Sequence, residues 1–70
     1  MSSHVYSVSE IVGSSSESIE DAVQGALARA RKTLRNLNWF EVTEIRGHIS
    51  DDGSVAYYQV TVKLGFRMEG

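Results

Sequence analysis

The sequence contains no cysteine and no apolar segment long enough to cross a bilayer. Without cysteine, neither a disulfide framework nor a thiolate metal site can support the fold. The polar N-terminus also lacks the basic flank and apolar centre of a signal peptide, so we expect a cytoplasmic location. A net charge of -2 gives no reason to expect nucleic acid or an anionic membrane as a partner.

A chain of 70 residues has room for one domain, which we assign to residues 1–70. Its hydrophobic content of 41% is ordinary for a globular protein. A single core of this size rarely contributes more than ~3–5 kcal/mol, and small proteins usually add a staple or oligomerise. Because the cysteine-based staples are missing, we expect self-association.

The patterns along the chain predict the order β-α-β-β, an α+β fold. The first strand is predicted from Val5 to Gly13, where β-branched and aromatic residues end at a glycine. An amphipathic helix follows, capped near Ser16 or Ser18, although the serine run could also be a linker or a modification site. Gly25, inside the helix, is a candidate for close approach of another backbone. The apolar stripe of the helix consists of Ile19, Val23, Ala26, Leu27, Ala30, Leu34 and Leu37.

Two further strands, Trp39 to Ile49 and Val55 to Met68, are predicted on either side of an Asp-Gly turn. If the turn centres on Asp52, a uniform antiparallel register follows. It pairs Trp39 with Gly65, Glu41 with Lys63, and Ile45 with Gln59.

Strict alternation then assigns the side chains of this hairpin to two faces. The helix is expected to cover the face that contains Phe40, Val42, Val60, Val62, Leu64 and Phe66. The opposite face contains Trp39, Thr43, Ile45, Ile49, Val55, Tyr57, Gln59 and Thr61. This second face is too apolar to remain in water, so we expect it to pack against other subunits or a ligand.

Trp39 is the only tryptophan of the chain, and its predicted partner is a glycine. An indole beside a residue without a side chain suits the stacking of a planar heterocycle. Gln59 can donate and accept in one plane, as glutamine does when it reads an adenine edge. About 20 Å would separate the two residues in one chain, so a shared pocket would need two subunits. Alternatively, Trp39 is only a subunit contact and Gln59 a solvated side chain.

The remaining polar candidates are basic. Arg46 and His48, with Glu44, are predicted on the helix-covered face beyond its apolar part, and His4 and Arg67 lie near strand ends. These basic groups could hold a phosphate or make inter-subunit salt bridges. No metal site is expected, because the histidines have no carboxylate at ligand spacing. No catalytic residues are predicted either, because the sequence has no nucleophile constellation and no glycine-rich phosphate loop.

Four segments, VYSVSEIVGSS, AVQGALARARKTLRNLNWFEV, IRGHI and YYQVTVKLGFR, resemble the dodecins, which are small flavin-binding proteins. The likeness covers nearly the whole chain. It implies a three-stranded antiparallel sheet that partly wraps one helix, and a hollow homododecamer of cubic symmetry. The same resemblance implies that flavins stack in pairs between tryptophans of symmetry-related subunits, with Trp39 in that position.

The resemblance also implies roles for the polar candidates. Gln59 would hydrogen-bond the pyrimidine edge of the isoalloxazine, and Arg46 and His48, with His4 or Arg67, would accompany the phosphate. FMN is the expected cofactor, with riboflavin or FAD as alternatives and coenzyme A as a second candidate ligand.

The function expected from this resemblance is a flavoprotein that stores or buffers flavin and quenches its photochemistry, without being an enzyme. Two alternatives differ in class. One is a structural oligomer that binds coenzyme A or another nucleotide-like ligand, and the other is a flavin-dependent enzyme.

Overall fold

The computed structural model describes residues 4–68 and confirms the β-α-β-β order. Its elements are β1 (Tyr6–Ser15), α1 (Ile19–Ala30), β2 (Leu37–Ile49) and β3 (Val55–Arg67). The sheet is antiparallel throughout, and β3 lies between β1 and β2. Each predicted strand agrees with the structure to within two residues at either end.

Ser18 is the N-cap of helix α1, which decides between the two predicted caps. The Ser18 hydroxyl accepts a hydrogen bond of 2.9 Å from the backbone N–H of Asp21, as expected of an N-cap. The helix ends at Ala30, earlier than its apolar pattern predicted, because the next turn tightens. There the N–H of Thr33 donates to the carbonyl of Ala30, and the stripe residue Leu37 already belongs to β2.

The β2–β3 hairpin turns through the predicted Asp-Gly pair. The N–H of Gly53 donates to the carbonyl of Ser50 at 2.9 Å, and Gly53 has a positive φ of 90° that favours glycine. Asp52 Oδ1 accepts from both the hydroxyl and the N–H of Ser54. These hydrogen bonds, the hydroxyl first, hold the pKa of Asp52 below its ordinary value.

Small residues bring α1 close to the sheet. Ala22, Ala26 and Ala30 are the buried residues of the helix, and Ala22 and Ala30 share a core cluster with the buried Val60, Val62 and Leu64 of β3. A β-carbon at Gly13 would overlap the carbonyl oxygen of Ala22 and lie 3.0 Å from the methyl group of Ala26. The close approach of two backbones that we predicted at Gly25 therefore occurs at Gly13, while a β-carbon at Gly25 would meet nothing within 4 Å.

This difference between two glycines predicts opposite effects of the same substitution. We expect Gly13→Ala to destabilise the chain by ~1–3 kcal/mol, because a backbone oxygen cannot yield to the new methyl group. Gly25→Ala is the matched control and should stabilise by ~0.5–1 kcal/mol through helix propensity. Urea unfolding of the parent and both variants measures the two shifts. Equal midpoints for the two variants would contradict this account of the helix–sheet contact.

The helix covers only part of the sheet face toward which it packs, here called the inner face. A helix of 12 residues is about 18 Å long, whereas 13-residue strands extend to about 43 Å. Phe40 therefore stays 50% exposed although it faces inward, so the predicted coverage by the helix is incomplete.

The opposite side of the sheet, the outer face, has no element packed on it among the described residues. Its exposed apolar side chains include Tyr6, Val8, Val12, Trp39 and Tyr57. This confirms the prediction that the chain alone leaves an apolar face uncovered. Within residues 4–68, no helix has the length and hydrophobicity needed to span a membrane.

Candidate functional site

A β-bulge in β2 decides which side chains share the outer face. Val42 pairs with Val62 but Glu44 pairs with Thr61, so Thr43 is an extra residue in its strand. Its hydroxyl donates to the carbonyl of Thr61 at 3.3 Å. The uniform register predicted from the sequence is correct from Trp39 to Val42 and wrong by one residue from Glu44 to His48. A second shift, between His48 and Ile49, restores the predicted pairing of Ile49 with Val55.

The bulge reverses the alternation from Glu44 to His48. Ile45 pairs with Val60 and turns inward, instead of pairing with Gln59 on the outer face as predicted. Arg46 takes that position opposite Gln59. Because directly paired residues lie on the same face of a sheet, Arg46 and His48 are outer-face residues, and their predicted inner placement is wrong.

Trp39 does pair with Gly65, as predicted. A β-carbon at Gly65 would overlap the indole atoms Cε2, Cζ2 and Nε1, so the ring occupies the space that only a glycine leaves. The indole is nevertheless 39% exposed. Its nearest aromatic neighbour is Tyr6, with ring centroids 6.5 Å apart and planes tilted by 59°. The result is an indole supported by bare backbone and accessible on the outer face.

The polar residues opposite and beside Gln59 form specific contacts. Arg46 makes an ion pair with Glu44, and both side chains are 59% exposed. The hydroxyl of Thr61 lies 3.4 Å from the same Glu44 carboxylate oxygen. His48 stacks on Tyr57, with ring centroids 5.5 Å apart and planes within 11° of parallel.

The outer face thus contains two groups of candidate residues. We call Trp39, Gly65, Tyr6 and Arg67 the tryptophan cluster, and Gln59, Arg46, Glu44, His48 and Tyr57 the arginine cluster. Six positions along β3 separate Gln59 from Gly65, which corresponds to about 20 Å. One chain therefore keeps the two clusters apart. Predicted phosphate candidates fall in both: Arg46 and His48 in the second, Arg67 in the first, and exposed His4 just before β1 at the tryptophan end.

An open depression of about 210 Å³ lies at the C-terminal end of α1. Trp39 is the one predicted site residue in its lining. Its lining consists of Leu27, Arg31, Leu37, Asn38, Trp39, Phe40 and Leu64. Within residues 4–68 there is also no group of three or more metal-ligating side chains.

Residues 5–69 match the model of the dodecin family. The chain belongs to this family. It is 60% identical over 65 residues to a dodecin of Thermus thermophilus, covering 93% of each chain. The structure resembles dodecin from Streptomyces coelicolor with a TM-score of 0.90 and 54% identity, covering 100% of this chain and 99% of the other. A T. thermophilus dodecin variant with phenylalanine in place of a tryptophan matches with a TM-score of 0.88 and 56% identity, covering 97% and 100%.

Sequence reasoning missed the bulge and therefore the arginine cluster. The sequence did contain a signal for the bulge. Alternate residues of β2 are apolar at Phe40 and Val42 but polar at Glu44, Arg46 and His48. A switch of this kind within one strand indicates that the strand has gained a residue. Tyr6 was missed because its position depends on the pairing of β1 with β3, which no turn sequence specifies.

Proposed function

We propose that this dodecin binds flavin, FMN in particular, and that it stores the flavin and quenches its photochemistry. The observation that carries the proposal is the indole of Trp39, which rests on Gly65 and remains exposed on an uncovered face. Such a ring offers a flat, rigid surface to a planar heterocycle. The fit to an isoalloxazine rests on this surface together with the polar groups of the arginine cluster.

The polar part of the proposed site is the pair Gln59 and Arg46. The side-chain amide of Gln59 can donate to and accept from the pyrimidine edge of a flavin in one plane. Arg46 lies directly opposite Gln59, and its guanidinium suits the phosphate that distinguishes FMN from riboflavin. His48 would support the phosphate from the next outer position of β2. Arg67 and His4 are the phosphate candidates at the tryptophan end.

The site is proposed to form between copies of the chain. The tryptophan and arginine clusters lie about 20 Å apart along β3, too far for one flavin to contact both in one subunit. The uncovered outer face supplies the apolar surface for such an assembly. We propose the homododecamer that the sequence resemblance implies, with the indoles of two subunits enclosing a pair of flavins.

Two kinds of variant studied in T. thermophilus dodecin concern the same residue types. One replaces a tryptophan by phenylalanine and the others replace an arginine by alanine. Because that protein is 60% identical to this chain, these variants support the choice of Trp39, and of Arg46 or Arg67, as residues of the proposed site.

Binding rather than turnover follows from the stacked arrangement. The cofactor would supply light absorption and redox chemistry when bound. Trp39 would cover one side of the ring and exclude a substrate from it. Its indole is also an electron donor, and a donor in contact with the excited ring shortens the excited state by electron transfer. Electron transfer from the indole would therefore limit flavin photochemistry, and the covered ring would leave no room for flavin-dependent catalysis.

A titration of FMN with purified protein tests the proposal, with flavin fluorescence and the mass of the oligomer measured on one sample. We expect saturable quenching at one flavin per chain. An intact oligomer that leaves FMN fluorescence unchanged would overturn the proposal in favour of a structural assembly, for which coenzyme A is the ligand to try. Steady turnover of the bound flavin with a reductant and an acceptor would instead favour the enzyme.

A further inference from the structure

We propose that Glu44 is a specificity-determining residue that competes with the phosphate of the ligand for Arg46. The inference rests on the proposed function and concerns how the site discriminates between phosphorylated and unphosphorylated flavins. Its physical basis is one guanidinium with two candidate anionic partners.

The ion pair already present is exchangeable. Glu44 and Arg46 are two positions apart on one strand and both lie on the outer face, so their side chains meet over the sheet. In the single chain both side chains are 59% exposed. Solvated ion pairs of this kind are weak and open readily. In the absence of ligand, the ion pair with Glu44 therefore positions Arg46 beside Gln59, and this ion pair can open when a ligand binds.

Exchange would leave Glu44 with a partner. The Thr61 hydroxyl lies 3.4 Å from the carboxylate oxygen that contacts Arg46, and Thr61 is the cross-strand partner of Glu44. After Arg46 turns to a phosphate, this hydroxyl can continue to donate to the carboxylate. The carboxylate would then stand close to the phosphate and repel it. Both the loss of the ion pair and this repulsion lower the affinity for FMN. Riboflavin has no phosphate, so its binding neither breaks the ion pair nor brings a second negative charge close to Glu44.

The Thr43 bulge is what creates this competition. In a regular β2 strand, Glu44 and Arg46 would lie on the inner face, away from Gln59, as the uniform register predicted. The extra residue brings the amide, the guanidinium and the competing carboxylate to one surface.

The test compares FMN and riboflavin affinities in the parent, Glu44→Gln, Arg46→Gln and the double variant. We expect Glu44→Gln to raise the ratio of FMN to riboflavin affinity about three- to five-fold. Arg46→Gln should lower this ratio below that of the parent. In the Arg46→Gln background, Glu44→Gln should raise the ratio by a smaller factor than it does in the parent. Glu41→Gln, the same chemical change opposite Lys63 and away from the arginine cluster, is the matched control.

A second readout needs no flavin. The ³¹P resonance of inorganic phosphate should broaden more when the flavin-free Glu44→Gln oligomer is added than when the parent oligomer is added. This difference in line width should shrink at 1 M salt, where the Debye length is about 3 Å. An unchanged or lower affinity ratio in Glu44→Gln would overturn the inference while flavin binding by the parent stands. Absence of flavin binding by the parent would instead overturn the proposed function.

Discussion

Replacing Trp39 with alanine should weaken FMN binding by at least about 30-fold, or ~2 kcal/mol, and remove the saturable quenching of flavin fluorescence. The reason is that the indole is the exposed aromatic plane seated on Gly65, and its loss leaves the flavin ring without a stacking surface. Fluorescence titration of the variant beside the parent measures the change, with oligomer mass recorded for both.

Two further variants sharpen this result. Trp39→Phe keeps an aromatic ring but supplies a poorer electron donor, so we expect partial binding with less quenching per bound flavin. Val12→Ala trims another exposed apolar side chain of the outer face and controls for a general loss of apolar surface. If Trp39→Ala binds FMN as tightly as the parent in an intact oligomer, the tryptophan is only a subunit contact.

Adding one methyl group at Gly65 should have an effect nearly as large. The β-carbon of Gly65→Ala would overlap three atoms of the Trp39 indole, which must leave its seat on the backbone. We expect FMN affinity to fall by about ten-fold or more, because the flavin would then meet a displaced ring. The fold should persist, since Gly65 has the extended backbone of β3, with no positive φ for alanine to resist.

A double-mutant cycle separates displacement of the indole from other consequences of the methyl group. In the Trp39→Ala background there is no indole to displace, so Gly65→Ala should cause little further loss of FMN affinity. Far-ultraviolet circular dichroism checks that the sheet is retained. Additive losses from the two substitutions would contradict the account in which Gly65 acts through Trp39.

The local features of the fold were predictable because neighbouring residues control them. Ser18 caps α1 through a hydrogen bond to an N–H three residues away, and Gly53 supplies the positive φ that the hairpin needs. The predicted pairing of Trp39 with Gly65 is confirmed because two register shifts, between His48 and Ile49 and between Val42 and Glu44, offset each other. The end of α1 was less predictable, since apolar spacing continued to Leu37 after the helical hydrogen bonds had stopped.

Close packing was predicted at the wrong glycine for a similar reason. Gly25 is unusual within its helix, which made it noticeable in the sequence. Gly13 is unremarkable at the end of a predicted strand, yet its missing side chain admits the backbone of Ala22. Such a contact depends on how two elements pack, and the spacing within either element does not report it.

The sequence alone determined the order of the elements, a serine cap of α1 at Ser16 or Ser18, the hairpin turn, the pairing of Trp39 with Gly65 and the membership of the dodecin family that its motifs indicated. Only the tertiary structure decided that Arg46 and His48 share the outer face with Gln59. Alternation along a strand is a local rule with a period of two, whereas a bulge arises from hydrogen bonding to the neighbouring strand. The extra residue at Thr43 therefore places Glu44, Arg46 and His48 on the same side of the sheet as Gln59.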